Sequence, residues 1–341
     1  MHCDSVRISV IVPVYNNPKD LRECLAALLA DSSSSAEIIV VDDASTDGTV
    51  SVAREMGVGV LRLEKNSGPA AARNNGARHA RGAILFFVDA DVVIAPGAIA
   101  RVAQFFADRL DVTAVFGSYD AYPRATGIVS RYRNLLHHFV HQNSNSEATT
   151  FWAGCGAIWR GPFDSVGGFD DRRYPKPSIE DIELGYRLHG AGYRIFLDKG
   201  LHGKHLKRWT LRSVVVTDVR NRAVPWARLI LERNNSPKDL NLKLTQRFSG
   251  LLVLFACALG LIGMFQAEVL VFAVGVLLIV TALNRNLYAF FFRQHGLVFS
   301  TAGVLLHLVY FLYSGLSYLF VWAVHHFKKL GAANLKAIRG E

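Results

Sequence analysis

The feature that most constrains the fold is a buried strand that runs directly into two carboxylates. Ile84–Val88 are five apolar residues in a row, and Asp89 and Asp91 follow them with one alanine in between. A strand that is apolar at every position is typical of a parallel sheet covered on both faces. Two carboxylates this close repel each other unless a positive group lies between them, and a divalent cation carrying phosphate oxygens is a common solution. The alternative is a solvated aspartate-rich turn.

Three segments upstream have a similar strand character. Val6–Val14, Glu37–Val41 and Val58–Leu63 are predicted strands, and segments with helical spacing such as Lys19–Ala30 separate them. This alternation predicts an α/β domain built on a mostly parallel sheet. Ligands of such sheets bind outside the carboxyl ends of the strands, so residues that follow each strand are expected to meet at one edge.

Polar or small residues follow each predicted strand. The clusters are Tyr15, Asp42-Asp43, the loop beginning at Asn66, and Asp89-Ala90-Asp91. Any one of them could be an ordinary turn or helix cap, but four in succession favour a ligand site. No Gly-x-Gly-x-x-Gly follows the first strand and no Gly-x4-Gly-Lys-Ser/Thr occurs anywhere, which disfavours dinucleotide dehydrogenases and P-loop NTPases.

These motifs resemble the successive signatures of family 2 glycosyltransferases, here of the membrane-anchored bacterial type. The matching segments are Val10–Asn16 (VIVPVYN), Val41–Thr49 (VDDASTDGT), Asn66–Asn74 (NSGPAAARN) and Asp89–Asp91 (DAD). The resemblance covers roughly residues 6–210. It implies a GT-A fold, which is Rossmann-like with a mostly parallel sheet, and a nucleotide-sugar donor of the UDP- or GDP-sugar class.

The resemblance also implies where the donor and a metal ion bind. The residues expected at the base and ribose are Pro13, Tyr15, Asp42 and Asp43. Those expected near the ribose and diphosphate are Gly68 and Arg73. Asp91 is the expected direct ligand of Mg²⁺ or Mn²⁺, while Asp89 contacts the ribose or the water of the metal. A metal there would neutralise the charge of the leaving diphosphate.

Two acidic residues at a predicted helix start, Glu180 and Asp181, allow two interpretations. The spacing predicts a capping box with Ser178 as the N-cap and Asp181 at the third position. The resemblance implies instead that Glu180-Asp181 is the catalytic pair and that Asp181 takes the proton from the acceptor hydroxyl. Because a helix N-terminus lowers a carboxylate pKa, burial is needed to make Asp181 a useful base.

Upstream, Trp152 is predicted to stack on an acceptor sugar or to pack in the core.

A further metal ligand is expected from a histidine about seven residues after an aspartate. The resemblance places it at His205, after Asp198, with His202 as the second choice. The segment His205–Trp209 also resembles the Gln-x-x-Arg-Trp motif of processive polysaccharide synthases, but histidine replaces glutamine and the segment lies only 24 positions after Asp181. Three residues of this segment are expected to contact the acceptor, the diphosphate or a lipid phosphate, namely Lys207, Arg208 and Trp209. The alternative is a solvated basic loop.

One segment combines basic and aromatic residues. Ile128–Gln142 carries three histidines, His137, His138 and His141, among aliphatic and aromatic side chains. It is predicted to lie on a membrane surface or to guide a phosphorylated lipid. The alternative is an ordinary amphipathic helix with its histidines on the solvent face.

The last third of the chain is strongly apolar. Phe248–Phe265 contains no charge over 18 residues, a length of about 27 Å as a helix. Val269–Leu283 and Leu297–Val324 are the second and third hydrophobic segments. The predicted organisation is a GT-A domain over residues 1–210, basic interfacial helices over 211–246, a transmembrane region over 247–326 and a basic tail over 327–341.

The charge distribution favours a membrane partner over nucleic acid. Lys204 to Arg247 contains eleven basic and three acidic residues next to the apolar segments. Four cysteines without a Cys-x-x-Cys, and the absence of a signal peptide, predict a reducing compartment without structural zinc. The expected location is the cytoplasmic membrane with the catalytic domain in the cytosol. Three full crossings would place the basic tail outside, against the positive-inside rule, so a re-entrant third segment is the alternative.

The predicted function is that of an inverting, metal-dependent, hexosyltransferase-like enzyme. It would move a sugar from a nucleotide-sugar to a lipid-linked or membrane-proximal glycan acceptor in cell-envelope or polysaccharide biosynthesis. One alternative is a processive polysaccharide synthase, which the poor match at His205 argues against. Another is a non-catalytic scaffold that binds a nucleotide-sugar, which the presence of both Asp91 and Asp181 argues against.

Overall fold

The computed structural model describes residues 7–32, 36–233 and 243–339, with side chains up to residue 329. The chain divides into two compact units, Met1–Arg208 and Trp209–Glu341. The first unit is built on a β-sheet and the second is helical.

The first unit is an α/β domain. Its strands are β1 (Ile8–Val14), β2 (Ala36–Asp42), β3 (Gly59–Arg62), β4 (Ile84–Val88), β5 (Val92–Ile94), β6 (Ala114–Tyr119), β7 (Glu147–Ala148), β8 (Cys155–Trp159) and β9 (Ile195–His205). Its helices are α1 (Pro18–Asp31), α2 (Thr49–Glu55), α3 (Gly68–His79), α4 (Ala98–Asp108), α5 (Ile128–Gln142), α6 (Arg160–Ser165) and α7 (Glu180–Gly190).

The strands form one sheet in the order β3-β2-β1-β4-β8-β6-β9-β5, with β7 paired to β9. The neighbours from β3 to β4 are parallel, as the alternation of strands and helices predicts. Beyond β4 the sheet is mixed, because β8 runs antiparallel to both β4 and β6 while β6 and β9 are parallel. The α/β fold expected from the sequence is confirmed.

Helices cover both faces of the parallel half, which explains why β1 and β4 are apolar throughout. Val10 and Val12 point to the face that packs with Leu25 of α1. Ile11 points to the opposite face, where α3 approaches so closely that a Cβ added at Gly76 would lie 2.5 Å from Ile11 Cγ2. Side chains alternate across a strand, so a strand between two helical layers needs apolar residues at every position.

The second unit consists of helices. They are α8 (Leu211–Asp218), a π-helix (Val219–Ala223), α9 (Val224–Arg233), α10 (Leu244–Gly263), α11 (Val269–Leu283) and α12 (Arg285–Arg339). α12 is broken at Gly296, whose φ of 76° and ψ of −172° are not helical. Among the described residues, α10 and Arg285–Lys329 of α12 are long and apolar enough to cross a membrane by length and composition, while α11 is shorter. Residues 234–242 of the expected interfacial segment, and the side chains of the tail from residue 330 on, lie outside the described part.

One local prediction is wrong. No capping box forms at α7, because the helix begins at Glu180 with Ile179 as its N-cap and without a side-chain cap. Ser178 instead donates its backbone N–H to Glu180 Oε2 over 2.9 Å. Separately, β9 extends to His205, because β5 pairs with its last residues, Val92 opposite His205.

Candidate active site at the carboxyl ends of the strands

The Asp89-Ala90-Asp91 segment forms a tight connection between β4 and β5. Val92 N donates to the Asp89 carbonyl over 2.9 Å, which closes the turn. Asp89 N donates to the Gly154 carbonyl, and the Asp91 carbonyl accepts from Leu206 N. The two aspartates are therefore fixed by segments next to β8 and β9, and their side chains stay partly exposed, at 32% for Asp89 and 21% for Asp91.

His205 lies beside Asp91 at the end of β9. Its Nε2 is 3.7 Å from Asp91 Oδ2, and its ring stacks on Tyr119 with centroids 4.3 Å apart. Burial favours the neutral form of Asp91, but the hydrogen bond and charge of His205, together with Lys207, lower its pKa overall. The second choice, His202, has its Nε2 3.3 Å from the amide Nε2 of Gln142 instead.

Arg73 is buried between two carboxylates that are far apart in the sequence. Its Nη2 donates to Asp89 Oδ1 over 2.7 Å and its Nη1 donates to Glu180 Oε1 over 2.9 Å. The guanidinium carbon also lies 5.5 Å from the ring centroid of Phe169. Arg73, expected near the diphosphate, is thus engaged with the protein's own acidic groups and compensates their burial.

Asp181 has the environment that a general base needs. Its Oδ1 accepts from Ile182 N over 2.8 Å and its Oδ2 accepts from Ala153 N over 3.3 Å. Burial and the charge of Glu180 raise the pKa of Asp181 to about 7, against the opposing effect of Arg73 and the two backbone donors. Part of the residue remains exposed. The burial that the sequence interpretation required is present.

The residues expected at the donor base and ribose follow β1 and β2. Tyr15 is 48% exposed, whereas Pro13 is buried within β1. Asp42 is fully buried, accepts from Ser45 N and lies 3.3 Å from Arg62 Nε. Asp42 therefore faces the protein interior, and Tyr15 is the side chain of this group that is open to solvent.

Asp43 joins the end of β2 to the start of α3. Its Oδ1 accepts from Ser67 N over 2.7 Å and its Oδ2 accepts from Gly68 N over 2.8 Å. Gly68 has φ +87°, and a Cβ there would lie 2.6 Å from the Pro175 carbonyl oxygen. The glycine is required both by its backbone conformation and by this close approach.

Trp152 lies among aromatic side chains next to Asp181's donor Ala153. Its ring is 4.8 Å from that of Tyr119, 4.9 Å from that of His137 and 5.9 Å from that of His141, measured between centroids. Trp152 is only partly buried. Its position therefore combines aromatic packing with partial exposure.

The histidines of α5 face the sheet, so a helix with its histidines on the solvent face is not what the structure has. His138 and His141 donate from Nδ1 to the carbonyls of Tyr119 and Gly117, over 2.7 and 3.0 Å. Burial lowers the pKa of all three, to about 4 for His141. They are neutral at pH 7 and bring no positive charge to the site.

The segment after β9 is divided between exposed and buried residues. Lys207 and Arg208 are exposed, and Lys207 is close enough for its charge to lower the pKa of Asp91. Trp209 is buried and is the first residue of the second unit. The expected contact of Trp209 with an acceptor or phosphate stays a prediction.

The acidic groups of the site fit a divalent cation that shares its ligands with a substrate. Within the described ranges, no three His, Cys, Asp or Glu side chains are grouped so as to hold a metal by themselves. Asp91 and His205 together offer one oxygen and one nitrogen donor. Mg²⁺ is commonly held by one or two carboxylates together with substrate phosphates and water, so a pair of protein ligands is sufficient.

Several features of the site were missed in the sequence. Glu180 was assigned to the catalytic pair, but its contact with Arg73 was not foreseen, because α3 contains two arginines, Arg73 and Arg78, and the sequence does not show which of them is buried. Asn16 and Ala44 have positive φ angles, 48° and 61°, in the loops after β1 and β2. Strained backbone of this kind clusters at functional sites. Of these two residues, only Asn16 could have been predicted to adopt a positive φ angle, because asparagine tolerates this conformation.

Comparison with known proteins shows which family the first unit is similar to. Residues 9–167 match the model of glycosyl transferase family 2. Glycosyltransferase GlyG of Streptococcus pneumoniae is 34% identical over 125 residues, which are 35% of this chain and 41% of that protein. Glycosyltransferase AglE of Haloferax volcanii is 40% identical over 91 residues, which are 25% and 30% of the two chains. The succinoglycan biosynthesis protein ExoO of Rhizobium meliloti is 31% identical over 121 residues, 32% and 35% of the two chains.

These matches span less than half the length of each relative. Among solved structures, the mannosyltransferase PcManGT of Pyrobaculum calidifontis, determined with GDP-Man and Mn²⁺, has a TM-score of 0.58 and 20% identity, covering 92% of this chain and 87% of its own. That similarity supports the GT-A fold expected from the motifs. Residues 9–167, just under half of the chain, are thus similar to glycosyl transferase family 2, and the curated relatives support a glycosyltransferase of this family.

Proposed function

We propose that this chain is an inverting glycosyltransferase that moves a sugar from a UDP- or GDP-sugar to a hydroxyl of a lipid-linked or membrane-proximal acceptor. The observation that carries the proposal is the double contact of Arg73 with Asp89 and Glu180. This contact links the Asp89–Asp91 turn, where a diphosphate and metal would bind, to Asp181, where a base is needed. The distance between donor and acceptor groups is thereby fixed before substrates bind.

In the proposed reaction, Asp181 accepts the proton of the acceptor hydroxyl. The acceptor oxygen attacks the anomeric carbon of the donor from the side opposite the diphosphate. The bond between that carbon and the diphosphate oxygen breaks, and its electron pair leaves with the nucleoside diphosphate. A single displacement of this kind inverts the configuration of the sugar. The pKa of about 7 lets Asp181 take the proton near neutral pH.

The second requirement of the reaction is that the negative charge on the leaving diphosphate is neutralised. A divalent ion would neutralise this charge when bound by Asp91 and His205. Lys207 and Arg208 are exposed beside the site and add positive charge. Asp89 keeps its place through Arg73 and has Oδ2 left for a donor hydroxyl or a metal-bound water. The Mn²⁺ and GDP-Man in the structure of PcManGT are consistent with this donor class.

The proposed acceptor follows from the second unit. Large apolar side chains are exposed on its helices, among them Phe265 at 89%, Val271 at 73% and Phe272 at 66%. Exposed apolar surface of this extent marks a membrane or protein interaction. With the length of α10 and α12 it supports a unit embedded in the cytoplasmic membrane, with the catalytic unit on the cytosolic side. The name of ExoO supports a role in building a glycan.

A panel of donors tests this proposal. The full chain, purified in detergent, is incubated with UDP- and GDP-sugars and an extract of membrane lipids, with Mn²⁺, Mg²⁺ or EDTA, while nucleotide release and product configuration are measured. We expect release with one donor class, dependent on metal and on Asp181, and an inverted product. A retained configuration, or full activity of Asp181→Asn, would overturn the mechanism. Donor binding without release would identify a non-catalytic scaffold, and a polymeric product a processive synthase.

A further inference from the structure

We infer that Tyr119 is a positioning residue for His205, because its ring holds the imidazole in the plane in which Nε2 faces Asp91. The inference rests on the proposed function, in which Asp91 and His205 bind a divalent ion. It adds the residue that prepares His205 for that role before any ion arrives. Tyr119 is the last residue of β6 and is partly buried.

The backbone of His205 is fixed in three places. His205 lies opposite Val92 where β5 pairs with β9, and its carbonyl accepts from Arg124 N over 3.2 Å. The next residue, Leu206, donates its N–H to the Asp91 carbonyl over 2.9 Å. These contacts place the Cα of His205 beside the turn that carries Asp91. They leave the imidazole plane undetermined, because the torsion about the Cβ–Cγ bond of histidine is broad and is not confined to staggered values.

The ring of Tyr119 supplies the missing restraint on this plane. The two rings are stacked, with centroids 4.3 Å apart and an angle of 15° between their planes. An imidazole turned out of this plane would lose the contact or press an edge into the phenol ring. In the stacked orientation, His205 Nε2 lies 3.7 Å from Asp91 Oδ2. Partners that orient a ligating side chain in this way strongly affect metal affinity.

Tyr119 is itself held by other residues. Its ring centroid lies 4.4 Å from that of His137 and 4.8 Å from that of Trp152. Its carbonyl accepts from His138 Nδ1 over 2.7 Å. A ring that contacts three neighbouring rings in a packed interior has little freedom to turn, so Tyr119 is a fixed platform for His205.

The phenol of Tyr119 is neutral at pH 7. Burial raises its pKa well above 10, and the nearby charges of Asp91 and Asp89 raise it further. The side chain therefore adds no negative charge to the acidic groups of the site, and it acts on His205 through the face of its ring. Phenylalanine has the same face, so it should replace tyrosine without loss of this effect.

Paramagnetic resonance of Mn²⁺ tests the inference without measuring sugar transfer. The full chain in detergent is titrated with Mn²⁺ in the presence of UDP or, in parallel, GDP, and the loss of the free-ion signal gives the apparent Kd. In frozen samples, pulsed measurements detect a nitrogen hyperfine coupling when an imidazole is bonded to the ion. His205→Gln is the reference without this coupling.

The variants separate the ring of Tyr119 from its hydroxyl. Tyr119→Phe keeps the ring, whereas Tyr119→Leu and Tyr119→Gln remove it; two ring-free variants are made so that the test survives if one of them does not fold. Tyr122→Leu is the matched control, because Tyr122 is a tyrosine of the same connection that is 71% exposed.

We expect wild type, Tyr119→Phe and Tyr122→Leu to bind Mn²⁺ with similar affinity and to show the nitrogen coupling. The ring-free variants should bind Mn²⁺ about 10- to 100-fold more weakly and lose most of the coupling. Unchanged affinity and coupling in these variants would overturn the inference. An equal loss in Tyr119→Phe would also overturn it, because the effect would then belong to the hydroxyl.

A second background distinguishes positioning from general damage to the fold. In His205→Gln the imidazole is absent, so adding Tyr119→Leu should weaken Mn²⁺ binding by a further factor of about two or less. A further loss of about tenfold would mean that Tyr119 does not act through His205, and it would overturn the inference.

The wild-type chain separates this inference from the proposed function. Binding of Mn²⁺ with nucleotide but without the nitrogen coupling would overturn the positioning of His205 and leave a metal-dependent transfer through Asp91 in place. Failure of Mn²⁺ to bind with either nucleotide would overturn the metal-dependent function and the inference with it.

Discussion

Arg73 and Glu180 meet as a buried ion pair across 107 positions of sequence, with Nη1 donating to Oε1 over 2.9 Å. The same guanidinium holds Asp89, so one cation serves two carboxylates from different segments. Glu180 in turn accepts from Ser178 N and adjoins Asp181. The position of the proposed base therefore depends on a residue in α3.

Replacing Arg73 should destabilise the catalytic unit. The variant Arg73→Gln leaves Glu180 without its charge partner, a change that typically costs about 3–5 kcal/mol for a buried pair. We expect the unfolding midpoint temperature to fall by about 6–12 °C, measured by thermal unfolding in detergent. The matched control Arg22→Gln breaks the exposed pair with Glu55 and should lower it by about 2 °C or less. Equal shifts for both variants would contradict the assignment.

The rate of transfer should rise with pH through about 7. Asp181 must be ionised to accept a proton, and burial beside Glu180 raises its pKa to about 7. Below that pH the rate should fall about tenfold per unit, and Asp181→Asn should lower it about 10²- to 10⁴-fold. The measurement is nucleotide release at saturating donor between pH 5.5 and 8.5. Asp164→Asn, at an exposed position, is the control. A flat wild-type profile would exclude Asp181 as the base.

Stability provides an independent check on the same group. A folded-state pKa above the unfolded value of 3.8 means that the folded chain binds this proton more tightly, so the contribution to stability is lost as pH rises through about 7. Asp181→Asn should therefore unfold at a higher temperature than wild type at pH 8.5, and this advantage should disappear below pH 4. A lower midpoint at pH 8.5 would show that the inactive variant is simply misfolded.

Metal binding should depend on Asp91 and His205. Either Asp91→Asn or His205→Gln removes one of two donors, so the affinity for Mn²⁺ in the presence of nucleoside diphosphate should fall at least about tenfold. The measurement is stabilisation of the chain by Mn²⁺ titrated against a fixed nucleotide, because a ligand that binds the folded state raises the midpoint by mass action. His189→Gln, at an exposed position of α7, should behave like wild type. Unchanged stabilisation of the His205 variant would remove that residue from the site.

Gly68 should not tolerate a side chain. Gly68→Ala places a Cβ 2.6 Å from the Pro175 carbonyl oxygen at a φ of +87°, and we expect a loss of about 1–3 kcal/mol or more in unfolding free energy. Gly161→Ala is the control, because no atom lies within 4 Å of its added Cβ and alanine favours the helix α6. Urea unfolding of the two variants measures the difference. Similar midpoints would mean that the loop at Gly68 adapts without strain.

The local parts of this structure could be read from the sequence. The apolar run Ile84–Val88 is the strand β4, and Ile128–Gln142 is the helix α5 with the expected bounds. Both follow from periodicity, which depends on neighbouring residues alone. The family motifs placed His205 in a position where the fold brings it to Asp91.

Contacts between residues that are far apart in the sequence could not be predicted in the same way. The capping box at Ser178 failed because the local pattern gives no sign of the contacts of Glu180, which binds Arg73 and the Ser178 amide. The orientation of His141 toward the Gly117 carbonyl depends on which face of α5 meets the sheet. The extent of β9 depends on its pairing with β5. Each of these is decided by tertiary partners and leaves no local trace.

The fixed orientation of the Asp43 carboxylate affects the entropic cost of binding a nucleotide-sugar donor in the proposed site. Each of its oxygens accepts one backbone N–H, from Ser67 and Gly68, and each retains a further lone pair. A ribose hydroxyl could therefore be bound by an acceptor whose rotamer is already fixed. In the proposed complex with a nucleotide-sugar, the side-chain entropy of Asp43 is lost during folding and not during association, so ordering of this side chain would not reduce the affinity for the donor.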